Sequence, residues 1–167
     1  MSVRSTVCLL VLACGAAGCG DDTAARNCQD PADPKRQAAA CTQVIAADPK
    51  SAKAYNNRCQ AQNELKQYEK SLSDCNMAIK LAPSNASAYN NRGVAHEMKG
   101  EFDAALQDYD KAVALSPKFA VAYANRGDVY AKKGDKARAV TEYRQALAIE
   151  PDNDIALSGL KKLGARP

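Results

Sequence analysis

Ala54-Tyr55-Asn56-Asn57-Arg58-Cys59, Ala88-Tyr89-Asn90-Asn91-Arg92-Gly93 and Ala122-Tyr123-Ala124-Asn125-Arg126-Gly127 are one phrase written three times, 34 residues apart. Pro49, Pro83, Pro117 and Pro151 keep the same step, so each phrase opens a unit that a proline closes. Within a unit, apolar and small residues recur at helical spacing in two runs. The runs are separated in the later units by Lys99-Gly100-Glu101 and Lys133-Gly134-Asp135. Proline cannot continue a helix, and glycine fits the left-handed position that ends one. Each unit therefore reads as a helical hairpin, with helices near 52–65, 68–81, 86–99, 102–115, 120–133 and 136–149. Small residues at the crossing, Gly93 with Ala105 and Gly127 with Ala139, let the two backbones approach.

The Tyr-x2-Arg-Gly opening, the Ala-x3-Tyr-x2-Ala second half and the closing Pro resemble the tetratricopeptide repeat, with Tyr where that family often has Trp. The resemblance implies an all-α, right-handed solenoid with full repeats at 52–85, 86–119 and 120–153. Before them, 34–51 matches only a second helix and reads as a half repeat. After them, 154–167 reads as a capping helix with Ile155, Leu157, Leu160 and Leu163 inward, because an array must close its open end. The resemblance also implies a concave face lined by the first helix of each unit. There Asn57, Asn91 and Asn125 would form a ladder, beside Asn56, Asn90, Val94 and Val121. A carboxamide offers both donor and acceptor, so such a ladder suits the main chain of a peptide or partner segment. The family's carboxylate-clamp members need a basic cluster, and only Asn91 matches that pattern.

Residues 1–18 differ in composition from the rest. Arg4 precedes the apolar run Val7–Ala17, which is shorter than the ~20 residues of a membrane-spanning helix and fits the core of a secretory signal. Ala16-Ala17-Gly18-Cys19 resembles the bacterial lipoprotein lipobox, whose cysteine is acylated, for example with palmitate. Cys14 is a poorer candidate, and cleavage without lipid is a further alternative. Residues 19–33 read as a linker.

With Cys19 as the lipid site, Cys8 and Cys14 leave with the signal and Cys28, Cys41, Cys59 and Cys75 remain. An even number in an oxidising compartment reads as two disulfides. Cys59 stands where the later units have Gly93 and Gly127, and Cys75 where they have Tyr109 and Tyr143. These positions face each other in an antiparallel hairpin. Axes ~8–10 Å apart bring their Cα atoms to roughly 4–5 Å, near bridging range. The alternative is two small buried thiols. Cys28 and Cys41 then pair by elimination.

The remaining chemistry is sparse. The 167 residues carry 23 basic and 19 acidic side chains mixed along the chain, unlike the segregated basic face of a nucleic-acid binder. A single histidine, His96, sits where Gln62 and Tyr130 stand in the neighbouring units and reads as a packing residue. Arg58, Arg92 and Arg126 recur too regularly for catalysis and should pair with acidic side chains of adjacent helices. Lys132, Lys133, Lys136 and Arg138 read as a solvated turn. No catalytic set, metal ligation or cofactor motif is found.

The expectation is a non-enzymatic interaction scaffold of the bacterial cell envelope. It would be lipid-anchored in the membrane with its repeats facing the periplasm, and monomeric until a protein partner arrives. The alternatives are a soluble periplasmic form and a structural or homo-oligomeric assembly element. Changing Cys19 to Ser should move the protein from membrane to soluble fractions and abolish acyl labelling; label on Cys14 would refute the assignment.

Overall fold

The computed structural model describes residues 21–167, with side chains from residue 23 onward. The signal region, Cys14 and Cys19 lie outside the described residues. Nine helices are described: α1 (Asp21–Gln29), α2 (Pro34–Ala47), α3 (Ala52–Glu64), α4 (Tyr68–Leu81), α5 (Ala86–Met98), α6 (Phe102–Leu115), α7 (Ala120–Lys132), α8 (Lys136–Ile149) and α9 (Asp154–Lys162). The chain is an α-solenoid of hairpins.

Capping chemistry sets most boundaries. Ser51, Asn85 and Asn153 each accept a backbone N–H from the first turn of the helix they precede, and Asp135 does so for α8. Phe119 precedes α7 and makes no such bond; an uncapped start of this kind costs about 1 kcal/mol. Gly100 and Gly134 end α5 and α7 at φ 80° and 82°. In the first full unit Lys66 takes the same left-handed turn at φ 58° without glycine's freedom.

Successive first helices touch: α1 meets α3, α3 meets α5, α5 meets α7 and α7 meets α9. None of the second helices α2, α4, α6 and α8 touches the next. The first helices therefore form one continuous row, the inner face, while each of α2, α4 and α6 packs on the first helix of the next unit.

Three arginines bridge the outer helices. Arg92 on α5 donates through Nε and Nη2 to Asp108 on α6 at 2.9 and 2.6 Å, and through Nη1 to Asn76 on α4 at 2.7 Å. Arg58 does the same with Asp74 and Thr42, and Arg126 with Glu142 and Asp110. Each guanidinium also lies 5.4–5.7 Å from the ring of the tyrosine three residues earlier, Tyr55, Tyr89 or Tyr123.

Within a hairpin, Tyr109 and Tyr143 are fully buried against Gly93 and Gly127. A Cβ on Gly93 would lie 2.7 Å from Tyr109 Cε1. In the first full unit the Cys59–Cys75 disulfide takes the place of this glycine–tyrosine contact, with a Cα–Cα distance of 5.5 Å.

The amino end differs from the expectation of a linker followed by a half repeat. Residues 21–29 form α1, which packs on α2 and α3 as a first helix would, and the Cys28–Cys41 disulfide joins it to α2. Its bridged cysteines are 13 residues apart against 16 for Cys59 and Cys75: Cys41 keeps the 34-residue step to Cys75, but Cys28 sits nearer the turn than Cys59 does. Without the Tyr-x2-Arg phrase and with its cysteine out of the 34-residue step, α1 escapes the repeat pattern. At the other end α9 buries Ala156, Gly159 and Leu160, whereas Leu157, expected inward, is 36% exposed.

Adding a methyl group at Gly93 meets a buried ring with no room to move. Gly93→Ala should therefore lower stability by about 1–3 kcal/mol, read from the urea midpoint, without loss of helicity in the folded state.

Candidate functional site

The inner face is built from the first helices, whose 34-residue step brings equivalent side chains side by side. Asn91 Nδ2 donates to Asn56 Oδ1 at 3.1 Å, and Asn125 Nδ2 donates to Asn90 Oδ1 at 3.0 Å. Asn57 Nδ2 instead reaches the Cys28 carbonyl at 3.0 Å, satisfying one of the carbonyls left open at the end of α1. The asparagines expected as an open ladder thus spend their donors between helices. Asn90 and Asn125 are buried by this pairing and serve as contacts between α5 and α7. Asn56, Asn57 and Asn91 are half-buried, and no donor among the described residues reaches Oδ1 of Asn57 or Asn91.

Val94 packs against Ala105, Tyr109 and Val129, so it belongs largely to the interior. Val121 is half-buried at the start of α7. Lys53, four residues before Asn57, donates to Gln29 on α1 at 2.8 Å.

The carboxyl half of the inner face is ionic. Glu97, with an 8% exposed side chain, accepts from Tyr109 Oη at 2.6 Å and from Lys132 Nζ at 2.7 Å. Asp128 accepts from Tyr143 Oη at 2.6 Å. A cleft of about 460 Å³ opens there between α7, α8 and α9, lined by Asp128, Ala131, Lys132, Tyr143 and Lys162 among others. Burial, reinforced by the Glu97 charge, raises the Tyr109 pKa far above the usual phenol value. Burial and the bond to Asp128 raise that of Tyr143.

The arginines pair with acidic side chains as expected, and the bond to Asp108 raises the Arg92 pKa further. His96 does more than pack: its Nδ1 lies 2.6 Å from Glu101 Oε2, joining α5 to the turn before α6. The basic turn is largely self-neutralised. Lys132 bonds Glu97, Lys133 bonds Asp103, and Arg138 bonds Asp135 at 2.5 Å while its guanidinium carbon lies 4.5 Å from the centre of the Tyr130 ring. These acidic partners lie on other elements or across a turn, where residue spacing alone does not reveal them.

Comparison with known proteins gives the following. A family model described as Tetratricopeptide repeat matches residues 52–85 and 86–119, and a second of the same description matches 120–153. Among solved structures, the chain is similar to the Arabidopsis OM64 TPR domain, at 31% identity over 68% of this chain and 94% of that one, with a TM-score of 0.65. It is also similar to TTC0263, a thermophilic TPR protein of Thermus thermophilus, at 22% identity, 78% and 72% coverage and a TM-score of 0.71. A third likeness is the first TPR of Spaghetti (RPAP3) bound to the HSP90 peptide SRMEEVD, at 24% identity, 70% and 93% coverage and a TM-score of 0.65. The last two speak to the fold alone. No curated protein matches.

The buried phenol of Tyr109 has a pH consequence. Its folded pKa is raised above the ordinary 10.0, so above that pH the unfolded chain loses the proton while the folded one keeps it. Stability is retained below pH ~10 and falls as pH rises beyond it. Urea unfolding from about pH 9 to 11 should show a shallower decline for Tyr109→Phe than for the wild type; parallel declines would exclude the phenol as the cause.

Proposed function

The chain belongs to the tetratricopeptide repeat family, and we propose that it is a non-catalytic scaffold whose inner face binds an extended segment of a protein partner. Repeats of this family commonly mediate protein–protein interaction and peptide binding. The observation that carries the reading is the pair of half-buried carboxamides Asn57 and Asn91, whose oxygens remain open on the stacked first helices. Each is an acceptor for a main-chain N–H of a segment laid across the repeats.

The RPAP3 neighbour binds an acidic peptide. Here Lys53 is bonded to Gln29 and Lys132 to Glu97, which favours main-chain recognition over a clamp built on these two cations. The setting proposed is the bacterial cell envelope, with export directed by the apolar run Val7–Ala17 and a lipid anchor at Cys19. Two disulfides suit such an oxidising compartment. The protein would be monomeric until its partner binds.

Residues 20–167, which include every described helix, can be used to capture the partner from an envelope extract. Two hydrogen bonds at ~0.5–1.5 kcal/mol net each imply that the double variant Asn57→Ala, Asn91→Ala weakens capture roughly five- to a hundred-fold with helicity unchanged. Neutral carboxamides also imply weak salt dependence. Full affinity in the double variant would remove the inner face as the binding surface.

A further inference from the structure

Four equivalent positions, each just before a first helix, carry Ser51, Asn85, Phe119 and Asn153. Ser51 accepts from the Ala54 N–H at 3.4 Å, Asn85 from Ala88 at 3.2 Å and Asn153 from Ala156 at 3.1 Å. Phe119 has nothing to accept with. Two residues further on, Val121 stands where the earlier units have Lys53 and Ser87. The third full unit has thus exchanged two polar positions for apolar ones within three residues. A local rule broken without benefit to the helix that bears it is the usual mark of a functional position.

Phe119 contacts the Ala112–Val113–Ala122 cluster, yet it remains half-buried. It also bounds a notch of about 410 Å³, lined by Lys118, Phe119, Ala120, Val121, Ile149 and Glu150. The apolar part comes from Phe119, Val121 and Ile149. Its charged residues carry both signs: the Lys118 ammonium has no partner among the described residues, and Glu150 uses only Oε2, toward Asn153. An ammonium donates to a peptide carbonyl and a carboxylate accepts a peptide N–H, so these two suit the main chain on either side of an inserted side chain.

We infer that this notch is the side-chain pocket of the scaffold, taking one aliphatic or aromatic side chain from an extended segment of the partner while Lys118 and Glu150 hold the adjoining main chain. The inference rests on the reading of the inner face as a peptide-binding surface and adds what selects the peptide. Val121, on α7, links the notch to that face. A second copy of this chain offering its exposed Met98 or Leu157 is the competing occupant.

The test uses residues 20–167 with N-acetyl-leucinamide and N-acetyl-phenylalaninamide as probes and N-acetylglycinamide as control, at millimolar concentration. Methyl resonances of Val121 and Ile149 should shift saturably with the first two probes and not with the third. Phe119→Asn restores the residue type of Asn85 and Asn153. It should weaken probe binding at least tenfold while the thermal midpoint stays within about 4 °C of wild type or rises. Val121→Ser, copying Ser87, should weaken binding several-fold with the midpoint unchanged, independently of any packing role of Phe119.

Absence of saturable shifts in the wild type overturns the pocket. So does a Phe119→Asn variant that loses stability and still binds the probes. A concentration-dependent mass in sedimentation that Phe119→Asn abolishes would assign the notch to a second copy instead. If capture of the envelope partner survives Phe119→Asn and is lost with Asn57→Ala, Asn91→Ala, the inner-face reading stands and the notch falls.

Discussion

A guanidinium held between two outer helices is the constraint on which the array depends. The second helices do not touch one another, so neighbouring hairpins meet where each second helix packs on the following first helix and where first helices stack. Across the outer surface of that seam run Arg58, Arg92 and Arg126, each of which reaches the second helix of its own unit and that of the unit before. A planar fork with fixed donors tolerates little rotation, which a lysine in the same place would not impose. The tyrosine beneath each arginine limits it from the remaining side. The asparagines of the inner face meet at hydrogen-bonding distance because packing and this outer row together hold the repeats at a constant pitch.

Hairpin closure is a separate matter, and it is solved in two ways at one structural position. In the later units a ring lies flat on a bare backbone, and its hydroxyl finds a carboxylate, Glu97 for Tyr109 and Asp128 for Tyr143. In the first full unit a covalent bond replaces ring and glycine together. The polar chemistry of the carboxyl half of the inner face follows from the first solution, because a buried phenol needs an acceptor and the acceptor must reach the groove side of its helix. The amino half, closed by sulfur, has no such need and is lined by carboxamides.

This division explains what the sequence shows and what it hides. Three hairpins are legible because Tyr, Arg and Pro recur at a fixed step and each has one structural task. The pairing of Cys59 with Cys75 is legible for the same reason, as the two occupy positions whose role the other units reveal. Helix α1 is not legible: it has nine residues, no Tyr-x2-Arg phrase and a cysteine that falls out of the 34-residue step. The asparagine series is visible as a series, but a step of 34 does not say that Nδ2 of Asn91 and of Asn125 turns to the residue 35 positions back, nor that Asn57 turns to Cys28. Phe119 breaks the capping pattern in plain view, yet its break is noticed only when Ser51, Asn85 and Asn153 are seen making their bonds.

The two closures also give the molecule a mechanical polarity. Pulled by its ends, a hairpin closed by packing lengthens as soon as ring and glycine part, releasing all the chain between them. A hairpin closed by sulfur cannot release the chain between its cysteines, 13 or 16 positions apart, until a covalent bond is cut. Tension would therefore unravel the units at 86–119 and 120–153 first and leave the amino-terminal pair short and intact. In effect, the array has a stiff root and an extensible tip.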